Sequence, residues 1–238
     1  MMAVILAGGK GTRLAPFTVT IPKPLLPLAD MPIIEVVIRQ LANAGASRIV
    51  ITLGHMAPFF TTILGGGERW GVKLEYVLEE EPLGTAGPIR RIPELEDSFI
   101  VMNGDLLTTL DYRALFKEHV AHRAWGTIAL SQRTVPIDYG VVESGQDGRL
   151  LRYIEKPSLP YEVSMGINVL SRGAVDFIPP TGRFDMPELM LAMRDAGKLV
   201  HCVHTDSYWQ DIGRFDDYQR ASEDFAADQS RFLPLGRS

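Results

Sequence analysis

The chain has 238 residues, 46% of them hydrophobic, which suits one large domain with a substantial core. Its formal charge of −5 excludes a general nucleic-acid binder, because that affinity comes from a basic surface neutralising phosphates. The single cysteine, Cys202, excludes an intrachain disulfide and a cysteine-only metal site. Its setting in Leu199-Val200-His201-Cys202-Val203 predicts a buried, inert strand residue.

The opening run Met1-Met2-Ala3-Val4-Ile5-Leu6-Ala7 lacks the basic start of a signal peptide, and no apolar stretch reaches the roughly 20 residues of a membrane span. A cytoplasmic protein is expected. Short apolar or mixed runs predict strands at Ala3–Leu6, Arg48–Leu53, Leu74–Leu78 and Phe99–Met102. Between them, Ile33, Ile34, Val37, Ile38 and Leu41 recur at helical spacing, with Pro32 at the start and Gly45 past the end. Asp111 is placed to cap a helix running to about His122. This alternation predicts a mostly parallel sheet with helices on both faces, whose ligands bind beyond the carboxyl ends of the strands. The second half differs. Tyr139–Ser144 and Leu150–Ile154 flank Gln146-Asp147-Gly148, a hairpin turn, and Val163–Leu170 reads as another strand. Asp185 is placed as a helix cap, with Pro187 in the first turn and Gly197 past the end.

The first strand empties into Gly8-Gly9-Lys10-Gly11-Thr12-Arg13-Leu14. Glycines let a backbone approach an anion closely with its N–H groups aimed inward, so this is a phosphate cradle. Arg13 and the proline-flanked Lys23 add two cations. The dinucleotide fingerprint would need Gly where Leu14 stands, and the P-loop needs Gly-Lys-Ser/Thr before a helix, so neither applies. The five histidines show no metal-ligand spacing, and no Ser/His/Asp set is present.

Six segments, in order over nearly the whole chain, resemble the sugar-1-phosphate nucleotidyltransferases. They are Gly9-Lys10-Gly11-Thr12-Arg13-Leu14-Ala15-Pro16-Phe17-Thr18 with Pro22-Lys23-Pro24, Pro82-Leu83-Gly84-Thr85-Ala86-Gly87, Asn103-Gly104-Asp105, Tyr139-Gly140-Val141-Val142, Glu155-Lys156-Pro157 and Trp209-Gln210-Asp211-Ile212-Gly213. The resemblance implies a Rossmann-like α/β fold with a smaller sugar-side β elaboration. It implies a magnesium-dependent reaction in which a nucleoside triphosphate and a sugar 1-phosphate give a nucleotide sugar and pyrophosphate. About residues 1–135 would form the nucleotide half, about 136–227 the sugar half, and 228–238 a polar tail. A homodimer is left open.

On that reading Leu6, Ala7, Gly8, Gly9, Gly11, Thr12 and Arg13 hold the triphosphate, together with Gly84 and Thr85 from the segment that would hold the base. Lys10 is either a further phosphate contact or a solvated loop lysine. Arg13, Lys23 and Asp105 are the catalytic set, and Asp105 and Asp211 the magnesium carboxylates. Asp105 follows a strand and a glycine, whereas Asp211 reads as a turn residue apart from the resemblance. Glu79 or Glu80 would accept from the two donors on guanine's edge, which favours GTP over UTP, dTTP or CTP. Gly140, Glu155, Lys156 and Asn168 would receive the sugar phosphate and its hydroxyls.

Overall fold

The structure is a computed structural model that describes residues 1–9, 11–54 and 56–233. In chain order the elements are β1 (Met2–Leu6), α1 (Phe17–Thr20), β2 (Pro27–Leu28), β3 (Met31–Pro32), α2 (Ile33–Asn43), β4 (Arg48–Leu53), α3 (Ala57–Leu64), β5 (Lys73–Leu78), β6 (Ser98–Asn103), β7 (Leu106–Thr108) and α4 (Tyr112–His122). There follow β8 (Gly126–Pro136), β9 (Val141–Ser144), β10 (Leu150–Ile154), β11 (Ser158–Ser171), α5 (Met186–Asp195), β12 (Val200–His204), β13 (Trp209–Asp211), α6 (Phe215–Ala227) and α7 (Gln229–Phe232). Seven strands form one sheet in the order β12-β8-β11-β6-β1-β4-β5. Only β11 runs antiparallel to its neighbours β8 and β6.

The period of two in each strand sends alternate side chains to opposite faces. In β1, Ala3 and Ile5 face a core built with Ile34, Val37, Ile38 and Leu41 of α2 and Phe60 of α3. Met2 and Val4 face the other core, with Ile89, Ile178 and Leu189. Helices therefore cover both faces, as the alternating pattern predicts. Asp111 caps α4 by accepting from the N–H groups of Arg113 and Ala114, and Asp185 and Glu188 form a reciprocal cap on α5.

Two expectations are corrected. Cys202 is exposed, because β12 is the edge strand of the sheet and its apolar neighbours are only half covered. The segment from 228 does not begin as a loose tail: α7 delivers Phe232 into a third core with Leu28, Ile33, Leu107 and Phe225.

Candidate active site

β1 and β6 lie side by side and parallel, with Leu6 opposite Asn103. Their two exit turns therefore meet, and Gly104 N–H donates to the Leu6 carbonyl at 3.0 Å. Gly11 has φ 62°, the left-handed region that suits glycine, and its carbonyl accepts from Thr18 Oγ1 at 2.8 Å. A side chain at Gly11 would start 3.0 Å from Lys23 Cβ, so the loop lies tight against the segment carrying that lysine. Lys23 is buried and its Nζ pairs with Asp105 Oδ2. A cleft of about 290 Å³ is lined by Leu6, Ala7, Gly9, Gly11, Thr12, Arg13, Lys23, Pro24 and Asp105. The glycine loop, both expected cations and one expected carboxylate thus share one hollow. Lys10 lies outside the described residues.

Asp211 arrives by strand pairing. β13 runs antiparallel to β7 with Asp211 opposite Leu106, and Ile212 N–H donates to the Asp105 carbonyl at 3.1 Å. The proton affinity of Asp211 is raised, first by burial and then by the negative charge of Asp105; Lys23 and Arg13 oppose the rise. A point at the Cβ position of Gly213 would lie 3.4 Å from Arg13 Nη1 and 3.5 Å from Asp211 Oδ2, which sets both groups beside the same glycine.

The two carboxylates fit a hard divalent cation. Asp105 Oδ1 is buried and accepts no hydrogen bond among the described residues. A buried carboxylate oxygen without a donor is costly, and magnesium is normally held by one or two carboxylates together with phosphates and water.

A second hollow, of about 340 Å³, continues from Leu6, Gly8, Gly9 and Asp105 to Glu79, Gly84 and Thr85. Glu79 rather than Glu80 faces it, and Glu80 is exposed. Burial raises the proton affinity of Glu79, whose Oε2 accepts from Leu83 N–H at 3.2 Å. Its Oε1 would stand 2.6 Å from a Cβ at Gly8. The backbone N–H of Thr85 donates to Asp185 Oδ1 at 2.9 Å, so the α5 cap also fixes this loop. Arg183 lines the same hollow. Sequence reasoning passed over it, since a lone Arg between Gly182 and Phe184 carries no pattern.

A third, mostly apolar cavity of about 520 Å³ opens from Leu6, Thr85, Asn103 and Asp211. Met165, Met186, Met190 and Trp209 line it, with Asn168 among the polar groups. Asn168 is buried on β11. Gly140, Glu155 and Lys156 are not in this lining. They belong to the separate β9–β10 hairpin and its flanks, and both charged side chains are exposed. A Cβ at Gly140 would meet the Tyr153 hydroxyl at 2.3 Å, so packing of Tyr153 already explains that glycine. The methionines escaped notice because β11 and α5 meet only in the fold.

The arrangement is a strand-end glycine turn with two cations, two converging carboxylates and a larger apolar cavity alongside. The model of the family described as nucleotidyl transferase matches residues 2–228. This chain belongs to that family. It is 34% identical to UTP–glucose-1-phosphate uridylyltransferase of Synechocystis sp., over 93% of this chain and 62% of that protein. It is 33% identical to mannose-1-phosphate guanylyltransferase of Mycobacterium tuberculosis, over 93% of this chain and 64% of that protein. The chain thus spans about three fifths of the length of these curated relatives. Among solved structures it resembles HddC from Yersinia pseudotuberculosis complexed with GMP-PN, with a TM-score of 0.71 and 25% identity over 94% of this chain and 99% of that one. No helix among the described residues is long and apolar enough to cross a membrane.

Proposed function

We propose that this chain joins a sugar 1-phosphate to the α-phosphate of a nucleoside triphosphate, with release of pyrophosphate. The observation that carries the reading is the convergence of the phosphate loop, Arg13, Lys23, Asp105 and Asp211 at one crevice. The sugar-phosphate oxygen that attacks is already anionic, so no strong general base is required. What the reaction needs is alignment of two mutually repelling polyanions and positive groups that neutralise the charge moving to the leaving group.

The loop N–H groups and Arg13 hold the triphosphate and the departing pyrophosphate. Lys23, pinned by Asp105, lies where it can move from that carboxylate to the α-phosphate oxygens. Asp105 and Asp211 would hold magnesium, which supplies positive charge to the phosphates when bound. The cavity at Asn168 receives the sugar ring, with the Asn168 amide offering both a donor and an acceptor to hydroxyls. Glu79 reads the base. A carboxylate accepts well from guanine, which presents two donors on one edge, whereas uracil and thymine present one; GTP is therefore the favoured donor.

The testing experiment sets several sugar 1-phosphates against GTP, UTP, dTTP, CTP and ATP and follows pyrophosphate. Release is expected only when both substrates and magnesium are present, and fastest with GTP. Release of equal speed without any sugar phosphate would sink the transfer reading. A fastest reaction with UTP or dTTP would show that backbone groups, not Glu79, read the base.

A further inference from the structure

The sequence gives the histidines no ligand spacing, yet the fold brings two of them to a glutamate. Glu118 and His122 are four residues apart on α4, so they share one face of the helix. His201 is the second residue of β12 and pairs in register with Thr127 of β8. Thr127 itself meets α4, because its Oγ1 lies 2.9 Å from His119 Nδ1. His201 therefore presents to the same helix. The rings of His122 and His201 stack with centroids 4.0 Å apart and planes inclined by 18°. Glu118, His122 and His201 each offer a ligand atom, and these three atoms lie within 4.8 Å of one another.

We propose that Glu118, His122 and His201 form a surface site for a borderline divalent transition-metal ion of the zinc class. Four features support it. The donor set of two imidazoles and a carboxylate suits such an ion and leaves a position for water. His122 Nδ1 lies 2.9 Å from the Glu118 carbonyl oxygen. That same Nδ1 lies 3.4 Å from Glu118 Oε2, already the spacing of two donors on one tetrahedral ion, so Nδ1 is the ligating nitrogen and gives up the carbonyl on binding. His122 ends α4, where the helix dipole favours positive charge. Donors around a tetrahedral ion are roughly 3.3–3.6 Å apart and the ion lies in the plane of each ligating ring, so closure asks for about an ångström of approach and a turn of His122 out of the stack. Glu118 and His122 are exposed and can make it. His119, by contrast, is buried with both ring nitrogens engaged by Thr127 and Ser171, and is no ligand.

The site is separate from the proposed transfer centre. The crevice opens beyond the carboxyl ends of β1 and β6, to which β8 and β12 run parallel through the antiparallel β11. His201 stands near the amino end of β12, at the other side of the sheet. A bound ion would clamp α4 to the edge strand.

Cobalt(II), a zinc substitute with visible absorption, would be titrated into the purified chain in excess magnesium, which occupies hard-oxygen sites. The same titration would be run on His122→Gln, on His201→Gln and on the Asp105→Asn/Asp211→Asn double variant. Zinc would be added in parallel thermal melts, with metal-free melts confirming that each variant folds. One equivalent of cobalt is expected with a tetrahedral ligand-field band. Each histidine variant should lose about tenfold or more in affinity, and the double aspartate variant should keep it. Zinc should raise the wild-type midpoint by about 2–4 °C and leave the histidine variants unmoved. Absence of cobalt binding in the wild type, or binding unchanged in either histidine variant, would overturn the proposal.

Discussion

Asp105 adds to burial, the larger cause, in raising the proton affinity of Asp211, although more than a hundred residues separate the two in sequence. The β7–β13 pairing causes this, and Lys23 makes the two carboxylates unequal, because its ammonium pairs with Asp105. Removing either charge should therefore affect stability with opposite sign. Ionised Asp211 is disfavoured in the folded state, first by burial and then by Asp105. The folded state binds more protons than the unfolded state between the ordinary carboxylate pKa and the raised one, so stability falls as pH rises through that window. Asp211→Asn should raise the metal-free thermal midpoint at pH 7, with the gain fading in acid. Asp105→Asn should lower the stability by about 1–2 kcal/mol and the midpoint with it, since buried Lys23 loses its anion. Melts of both variants across pH check the signs. In catalysis the double variant should lose much less than the sum of the two single losses, as groups sharing one ion act as a unit.

Arg13→Ala and Lys23→Ala should each lower kcat by on the order of 10²-fold, with smaller effects on sugar-phosphate binding. Both cations meet charge that shifts in the transition state. Steady-state kinetics for both substrates separate the two effects. A raised KM at unchanged kcat would restrict these residues to ground-state binding.

Gly8→Ala is a sharper probe of the base-side hollow. The added methyl would sit 2.6 Å from Glu79 Oε1, so the carboxylate end must swing away. Because only the tip of a side chain moves, the fold should be kept while KM for the triphosphate rises. The preference for GTP should narrow, as it should in Glu79→Gln. Competition assays between GTP and UTP measure this.

Acid should destabilise the protein through His119. Burial, reinforced by the neighbouring His201, lowers its pKa from the ordinary 6.5 to about 4. Between those values the unfolded chain binds the extra proton, so stability declines as pH falls from about 6.5 toward 4. The loss is on the order of 2 kcal/mol. His119→Gln should flatten this part of the pH–stability curve, read as denaturant midpoints at pH 7 and pH 5.

Local chemistry written in consecutive residues was the legible part. The first strand, its glycine turn, the strand leading to Asp105 and the Asp111 and Asp185 caps all follow from short-range patterns. The Asp211 role came from resemblance, because a turn aspartate acquires its neighbour only when β13 pairs with β7. Cys202 was misread because an apolar run does not reveal that its strand stands at a sheet edge. Phe232 lay beyond a polar stretch whose short helix forms only against a core already made by other segments. The cavity with Met165, Met186 and Met190 is likewise tertiary: each residue alone reads as ordinary core.

The central claim is transfer itself, and product analysis tests it most directly. The purified chain would be incubated with magnesium, each of GTP, UTP, dTTP, CTP and ATP in turn, and each sugar 1-phosphate, and nucleotide sugar and pyrophosphate quantified together by mass spectrometry. The account predicts equal amounts of the two products with at least one sugar phosphate, and neither product with Asp105→Asn/Asp211→Asn. Formation of nucleoside mono- or diphosphate without any nucleotide sugar, across all sugar phosphates and all five triphosphates, would contradict it.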